Sequence, residues 1–249
     1  MKHANVVKVG VVALFVLGVA LACATRADNP PAPGFDAAGS DAAAVALADR
    51  AMEAMGGRAA WDAVQTLGWT IFKRTHLWNR WTGEYRLDAD TLLVKMNVNT
   101  GQGRVWRSGV EVTDAAERDP VLERATSIWI NDSYWLVMPY KLKDTGVTLR
   151  YGGEHATDDG RAADMIVMTF ANVGDTPENK YEVYVDKESG LVTQWSYYPT
   201  VTDAEPKFTL PWTDWTQMNG VRIAMGRGRT TVSGVTVSAG DERARFDAP

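Results

Sequence analysis

Apolar residues recur every three or four positions through Ala44, Leu47, Ala48, Ala51, Met52 and Met55. That spacing puts them on one face of an α-helix. Ser40 or Asp41 suits its N-cap, and Gly56-Gly57 ends it, because glycine readily takes the left-handed conformation of a C-cap. A short second turn over residues 59–67 carries Trp61 and Val64 on one side. From Trp69 the period changes to two. Residues 69–74, 84–87 and 91–99 read as strands. In the last of these, Leu92, Val94, Met96 and Val98 alternate with Leu93, Lys95, Asn97 and Asn99, as expected of a half-buried antiparallel strand. Residues 104–107 and 110–113 form the next hairpin.

The middle of the chain departs from this rhythm. Asp119-Pro120 suits a helix start, and Val121, Leu122, Ala125, Ile128 and Trp129 follow at helical spacing. With the apolar run 134–138 they predict one or two helices lying over the sheet. Strands resume at 147–151, 165–170, 181–186, 191–198, 207–218, 221–226, 229–236 and 242–246. Lys187-Glu188-Ser189-Gly190 is a hairpin loop, and Asn219-Gly220 is the strongest short hairpin signal in the chain. The fold class is therefore mainly β (α+β), a long antiparallel sheet with few helices.

The N-terminus has a different character. Lys2 and Lys8 precede an apolar run, residues 9–22, which is shorter than the roughly 20 residues of a bilayer span and has the form of a signal-peptide core. The only cysteine follows at once, in Leu21-Ala22-Cys23. This resembles a bacterial lipobox, although Ala20 stands where that pattern prefers leucine. The rival reading is ordinary cleavage after Ala22, Ala24 or Ala27. The division expected is a signal peptide (1–22), a flexible linker after a lipid-anchor Cys23 (23–40), and a single domain (41–249). Such a protein is exported, lies on the periplasmic side of the bacterial envelope, and meets the outer-membrane surface through its lipid anchor.

Charge and chemistry exclude more than they identify. A net charge of −5 argues against a nucleic-acid partner. Downstream of the signal segment, His76 and His155 stand in no metal-ligand spacing and read as surface or strand-edge residues. No serine lies in G-x-S-x-G, and Gly101-Gln102-Gly103 lacks the third glycine of a dinucleotide fingerprint. Gly226-Arg227-Gly228-Arg229 reads as a turn between strands, and so does Asp158-Asp159-Gly160. No carboxylate pair is singled out for hydrolysis. No catalytic residue, metal or cofactor is expected, and the protein is read as a non-enzyme.

The unusual feature is aromatic, with 10 tryptophans and 8 tyrosines. One reading is a large packed core. The other is an apolar cavity between sheet and helices, with tryptophan as a rigid wall carrying one N–H donor. The candidates for such a wall are Trp69, Ile71, Trp135, Met165, Val167, Val183, Trp195 and Tyr197.

The order of motifs has a counterpart among known proteins. A helix ends in Ala54-Met55-Gly56-Gly57-Arg58-Ala59-Ala60-Trp61, and Leu67-Gly68-Trp69 follows. Later come Tyr184-Val185-Asp186-Lys187-Glu188-Ser189-Gly190-Leu191 and Asn219-Gly220-Val221-Arg222-Ile223. This order, over roughly residues 42–246, resembles the LolA/LolB-like outer-membrane lipoprotein-sorting proteins and uncharacterised envelope lipoproteins of the same fold. The resemblance implies a strongly curved antiparallel sheet, an incomplete barrel closed by helices, whose cavity takes acyl chains. It transfers no specific functional residue, since the matching positions are turn and core residues. The leading expectation is an envelope protein that binds an apolar ligand or lipoprotein acyl chains without catalysis. The alternatives are an envelope scaffold with a filled core and, third, a hydrolase.

Overall fold

The computed structural model describes residues 29–171 and 173–248, so the signal segment and Cys23 lie outside the described residues. The chain opens with helices α1 (Ala42–Ala54) and α2 (Arg58–Ala63). The stripe predicted for α1 is its inner face, with Ala44, Leu47, Ala48, Ala51, Met52 and Met55 all buried. Six strands follow: β1 (Thr66–Ile71), β2 (Arg74–Asn79), β3 (Glu84–Ala89), β4 (Leu92–Asn97), β5 (Gly103–Arg107) and β6 (Val110–Glu111). Helix α3 (Ala115–Val137) and a 3-10 turn (Met138–Lys141) separate these from β7 (Val147–Ala156), β8 (Ala162–Phe170), β9 (Lys180–Asp186), β10 (Val192–Tyr198) and β11 (Phe208–Pro211). The chain continues through β12 (Thr213–Met218), β13 (Val221–Arg227), β14 (Thr230–Thr231), β15 (Ser233–Ser238) and α4 (Arg243–Asp247).

The architecture is mainly antiparallel β with few helices, as the sequence predicts. The strands divide among three open sheets rather than one. The first has seven strands in the order β15-β1-β2-β3-β4-β5-β6, the second five in the order β11-β10-β9-β8-β7, and the third is β12-β13-β14. The break falls inside the run 207–218, expected as a single strand. Trp212 interrupts it, fully buried, with its backbone N–H donating to Thr193 O at 2.8 Å. β11 and β12 therefore leave for different sheets. The run 229–236 splits likewise, β14 staying with β13 while β15 pairs with β1. Where a strand is expected over 242–246, Glu242 caps the helix α4, which buries Phe246.

Two further elements differ from expectation for local reasons. Residues 75–79 form most of a strand, β2, where none is expected from sequence. β1 and β2 are joined by a two-residue turn at Phe72 and Lys73, both at positive φ (51° and 60°), without the Asn-Gly signal such turns usually carry. The central helix is one piece of 23 residues. It starts not at Asp119-Pro120 but at Asp114, whose Oδ1 accepts from the Ala116 N–H at 2.9 Å. Pro120 sits inside its second turn, exposed to solvent.

Residues 29–40, expected as part of a flexible linker, are seated on the domain. Ala32 N donates to Lys143 O, Asp36 N to Val147 O, and the Ser40 hydroxyl accepts from Leu149 N at 2.9 Å. These contacts cover part of the free edge of β7, an edge that would otherwise expose unpaired backbone groups.

Helix α3 connects the parts of the core. Its Leu122 and Ala125 pack with Tyr85, Leu87, Val94 and Val105 of the seven-stranded sheet. Its C-terminal Leu136 and Val137 pack with Trp61, Leu67 and Ile223. Trp135 reaches the separate cluster formed by α1 and the five-stranded sheet.

Candidate ligand cleft

The outer face of α3 and the open end of the five-stranded sheet enclose a cleft of about 720 Å³. Small-molecule sites span roughly 300–1,000 Å³. Arg124, Ser127, Ile128, Asn131 and Trp135 line it at steps of three and four residues, one face of the helix. The opposite wall is aromatic. Trp195 of β10 makes edge-on contacts with Trp135 at 5.4 Å and with Phe208 at 5.5 Å, and Tyr197 lies 5.1 Å from Phe208. Tyr181 of β9 sits 5.1 Å from Trp195, and burial pushes its phenol up to about 12. Aromatic pairs at these spacings prefer edge-to-face arrangements and hold one another in place.

Three of the lining tryptophans, Trp78, Trp129 and Trp195, carry buried indole N–H groups without a protein acceptor. Trp69 and Trp212, in the core away from the cleft, carry orphan indole donors as well, so these orphans belong to the aromatic interior as a whole.

Along its β2 side the cleft borders a buried polar network. Asp132 of α3 is fully buried and accepts from Arg74 Nε at 2.7 Å, Arg74 Nη2 at 2.9 Å and Asn131 Nδ2 at 2.8 Å. His76 Nε2 lies 3.2 Å from the same carboxylate, and His76 Nδ1 is 2.7 Å from the Tyr85 hydroxyl. Burial pushes the Asp132 carboxyl up, but the hydrogen bonds from His76, Arg74 and Asn131 outweigh it and hold the group below its usual range. Burial lowers His76 and raises Tyr85. The arrangement of tyrosine, histidine and carboxylate looks like a proton relay. Its three members are at most 1% exposed, so no substrate reaches them, and the network serves to fasten α3 to β2 and β3.

Among the candidates from sequence, Trp135, Trp195 and Tyr197 line the cleft. Val183 pairs directly with Trp195 and shares its sheet face, but lies wholly in the core behind it. Trp69 and Ile71 are also core, Trp69 stacking on His76 at 4.5 Å. Met165 and Val167 are on the wrong face. Their cross-strand partners are Tyr184 and Glu182, whereas Ile166 and Met168 oppose Val183 and Tyr181. Alternation along a strand sends the two sets to opposite sides, and Met165 instead packs in a small outer cluster with Ala163 and Tyr184. His76, expected at a surface or strand edge, is 1% exposed because Trp69 and the Asp132 network enclose it, while His155 is exposed as expected. Arg74, Arg124, Asp132 and Phe208 also line the cleft and are not among those candidates. None of them stands in a motif. Trp129 is anticipated only as an apolar position of the central helix.

The turns read from sequence are in place. Asn219 and Gly220 both have positive φ (45° and 88°) between the paired Met218 and Val221. Arg227 ends β13 before the Gly228-Arg229 turn, and its guanidinium lies buried 3.3 Å over the Trp212 ring. Among the described residues no group of three or more His, Cys, Asp or Glu is placed to hold a metal ion.

The fold and site thus define a mainly antiparallel β protein with an aromatic cleft walled by one long helix. No family model and no curated protein matches the chain. Solved structures do resemble it. One is a DUF1329 family protein from Desulfovibrio piger, at 14% identity and a TM-score of 0.45 over 82% of this chain and 97% of that one. Another is a putative outer membrane lipoprotein-sorting protein domain from Vibrio parahaemolyticus, at 8% identity and a TM-score of 0.36 over 80% and 97%. A third is a LolA superfamily protein from Nitrosomonas europaea, at 8% identity and a TM-score of 0.34 over 80% and 96%.

Proposed function

We propose that the protein is an envelope lipoprotein that binds an apolar ligand, such as an acyl chain, in the cleft between α3 and the five-stranded sheet, without catalysis. The observation that carries this is the aromatic-walled cleft of about 720 Å³. Burying a methylene contributes about 0.8 kcal/mol, so ten of them supply on the order of 8 kcal/mol before association costs. The test is a delipidated preparation titrated with a fluorescent fatty acid. Ser127 lies on the cleft face of α3 and is half-buried. Ser127→Trp should fill the cleft and weaken binding at least tenfold with little change in melting temperature. A wild-type protein that binds no fatty acid, or a Ser127→Trp variant that binds equally well, would leave the scaffold reading in its place.

The same reading puts the protein on the periplasmic side of the outer membrane, held by acyl chains on Cys23. Asn29, six residues on, is fixed to Asp49 by a 2.9 Å hydrogen bond. Full extension of six residues spans ~20 Å, so an anchored domain stays against the bilayer surface. Labelled palmitate should be incorporated by the full chain and lost in Cys23→Ser. An unlabelled, freely soluble full-length protein would overturn the anchor.

A further inference from the structure

We infer that the ligand is a single-chain amphiphile with an anionic head, bound in one orientation along α3. The inference rests on the cleft being a ligand site and goes on to say what fills it. The cleft is polarised along its length. β2 runs against α3, so Arg74 meets Asp132 while Trp78 meets Trp129, one turn nearer the helix start. Arg124 lies further still toward that start, and Trp135 marks the opposite end beside Trp195. From Arg124 to Trp135 is 11 residues, or ~16 Å of helix, a length suited to an extended chain.

The charges divide along the same axis. Arg74 is paired with Asp132, and Lys141 with Asp144. The carboxylate of Asp132 is consumed by Arg74, His76 and Asn131 and has no acceptor capacity left for a ligand. Arg124 is exposed on the cleft and has no ion-pair partner among the described residues. The charged group left unpaired at its end is the Arg124 guanidinium. A guanidinium carries donors only and recognises an acceptor-rich anion, matching carboxylate and phosphate equally well. At the other end, Asp175 is a lining carboxylate, exposed and likewise without an ion-pair partner among the described residues. It lies on the loop between β8 and β9, whose Phe170 and Tyr181 meet Tyr134. An anionic head is therefore drawn to Arg124 and repelled from the Asp175 end. The chain then lies along Ile128 toward the rings of Trp135, Trp195 and Phe208.

The experiment compares palmitate, monohexadecyl phosphate and hexadecanol, which share one chain length and differ in the head, on the delipidated full chain. Both anions should bind about fivefold or more tighter than the alcohol at low salt, and the gap should narrow as salt is raised. In Arg124→Gln the gap should close, because both anions lose much more affinity than hexadecanol does. A preference for one anion over the other identifies the head group. Equal binding of anions and alcohol by the wild type, or an Arg124→Gln variant that weakens all three alike, overturns the orientation and leaves a plain apolar cleft. If none of the three binds, the cleft is not a ligand site and both readings fall together.

Discussion

Asp132→Ala should destabilise the fold by about 3 kcal/mol, measured by urea unfolding at pH 7.5. Removing one partner of a buried ion pair typically costs about 3–5 kcal/mol, because the other is left uncompensated. The lower end applies here, since the Arg74 side chain is 26% exposed and regains water when its partner goes. His76 is fully enclosed and cannot. Asp132→Asn keeps an acceptor for Arg74 and should lose less. The same network sets a pH dependence. Burial depresses His76, so the folded protein keeps the ring neutral where the unfolded chain, titrating near ~6.5, already takes up a proton. As pH falls below that value the unfolded state binds more protons than the folded one, and stability declines until the folded state's own lower pKa is reached. Asp132 is depressed too, which adds a second loss below about pH 4. His76→Phe should remove the first decline and leave the second. A wild-type unfolding free energy that is flat between pH 7.5 and 5.5 would contradict this description of the network.

Trp195→Ala should cost about 3–5 kcal/mol, the range for deleting a large aromatic from a packed core. Trp195 is 2% exposed and its ring meets Trp135, Tyr181, Phe208 and Trp212 within 5.6 Å. It is both core and cleft wall, so its loss lowers stability first and affinity as a consequence. Tyr197, half-buried on the same face, should by contrast lose affinity with a stability cost of about 1 kcal/mol or less. A Trp195→Ala protein with an unchanged melting temperature would mean that the aromatic wall is not packed as described.

Much of the fold is legible in single stretches of chain. The α1 stripe, the Gly56-Gly57 stop, the alternation in β4 and the Asn219-Gly220 turn each reflect local physics, and each is found where the residues put it. The failures share a different cause. The Phe72-Lys73 turn is imposed by the pairing of its flanks, since neither residue favours positive φ by itself. β8 is apolar on both faces, with Ala163, Met165 and Val167 on one and Ile166, Met168 and Phe170 on the other. Period two then cannot choose the inner face, and only the register with β9 decides it. The strand break at Trp212 depends on a hydrogen bond to Thr193 in another strand. The cleft is less legible still. Arg74 and Asp132 are 58 residues apart, and nothing local marks either as a partner. What the composition does carry is the excess of tryptophan, and three of the eight wall candidates drawn from it line the cleft.

The most direct test of the ligand-binding reading is mass spectrometry of the molecules extracted from protein purified out of native membranes, with Ser127→Trp prepared alongside. The cleft described here predicts a single-chain acyl compound, near one per protein, with the wild type and little or none with the variant. No apolar molecule on the wild type, or the same amount on both proteins, would contradict it.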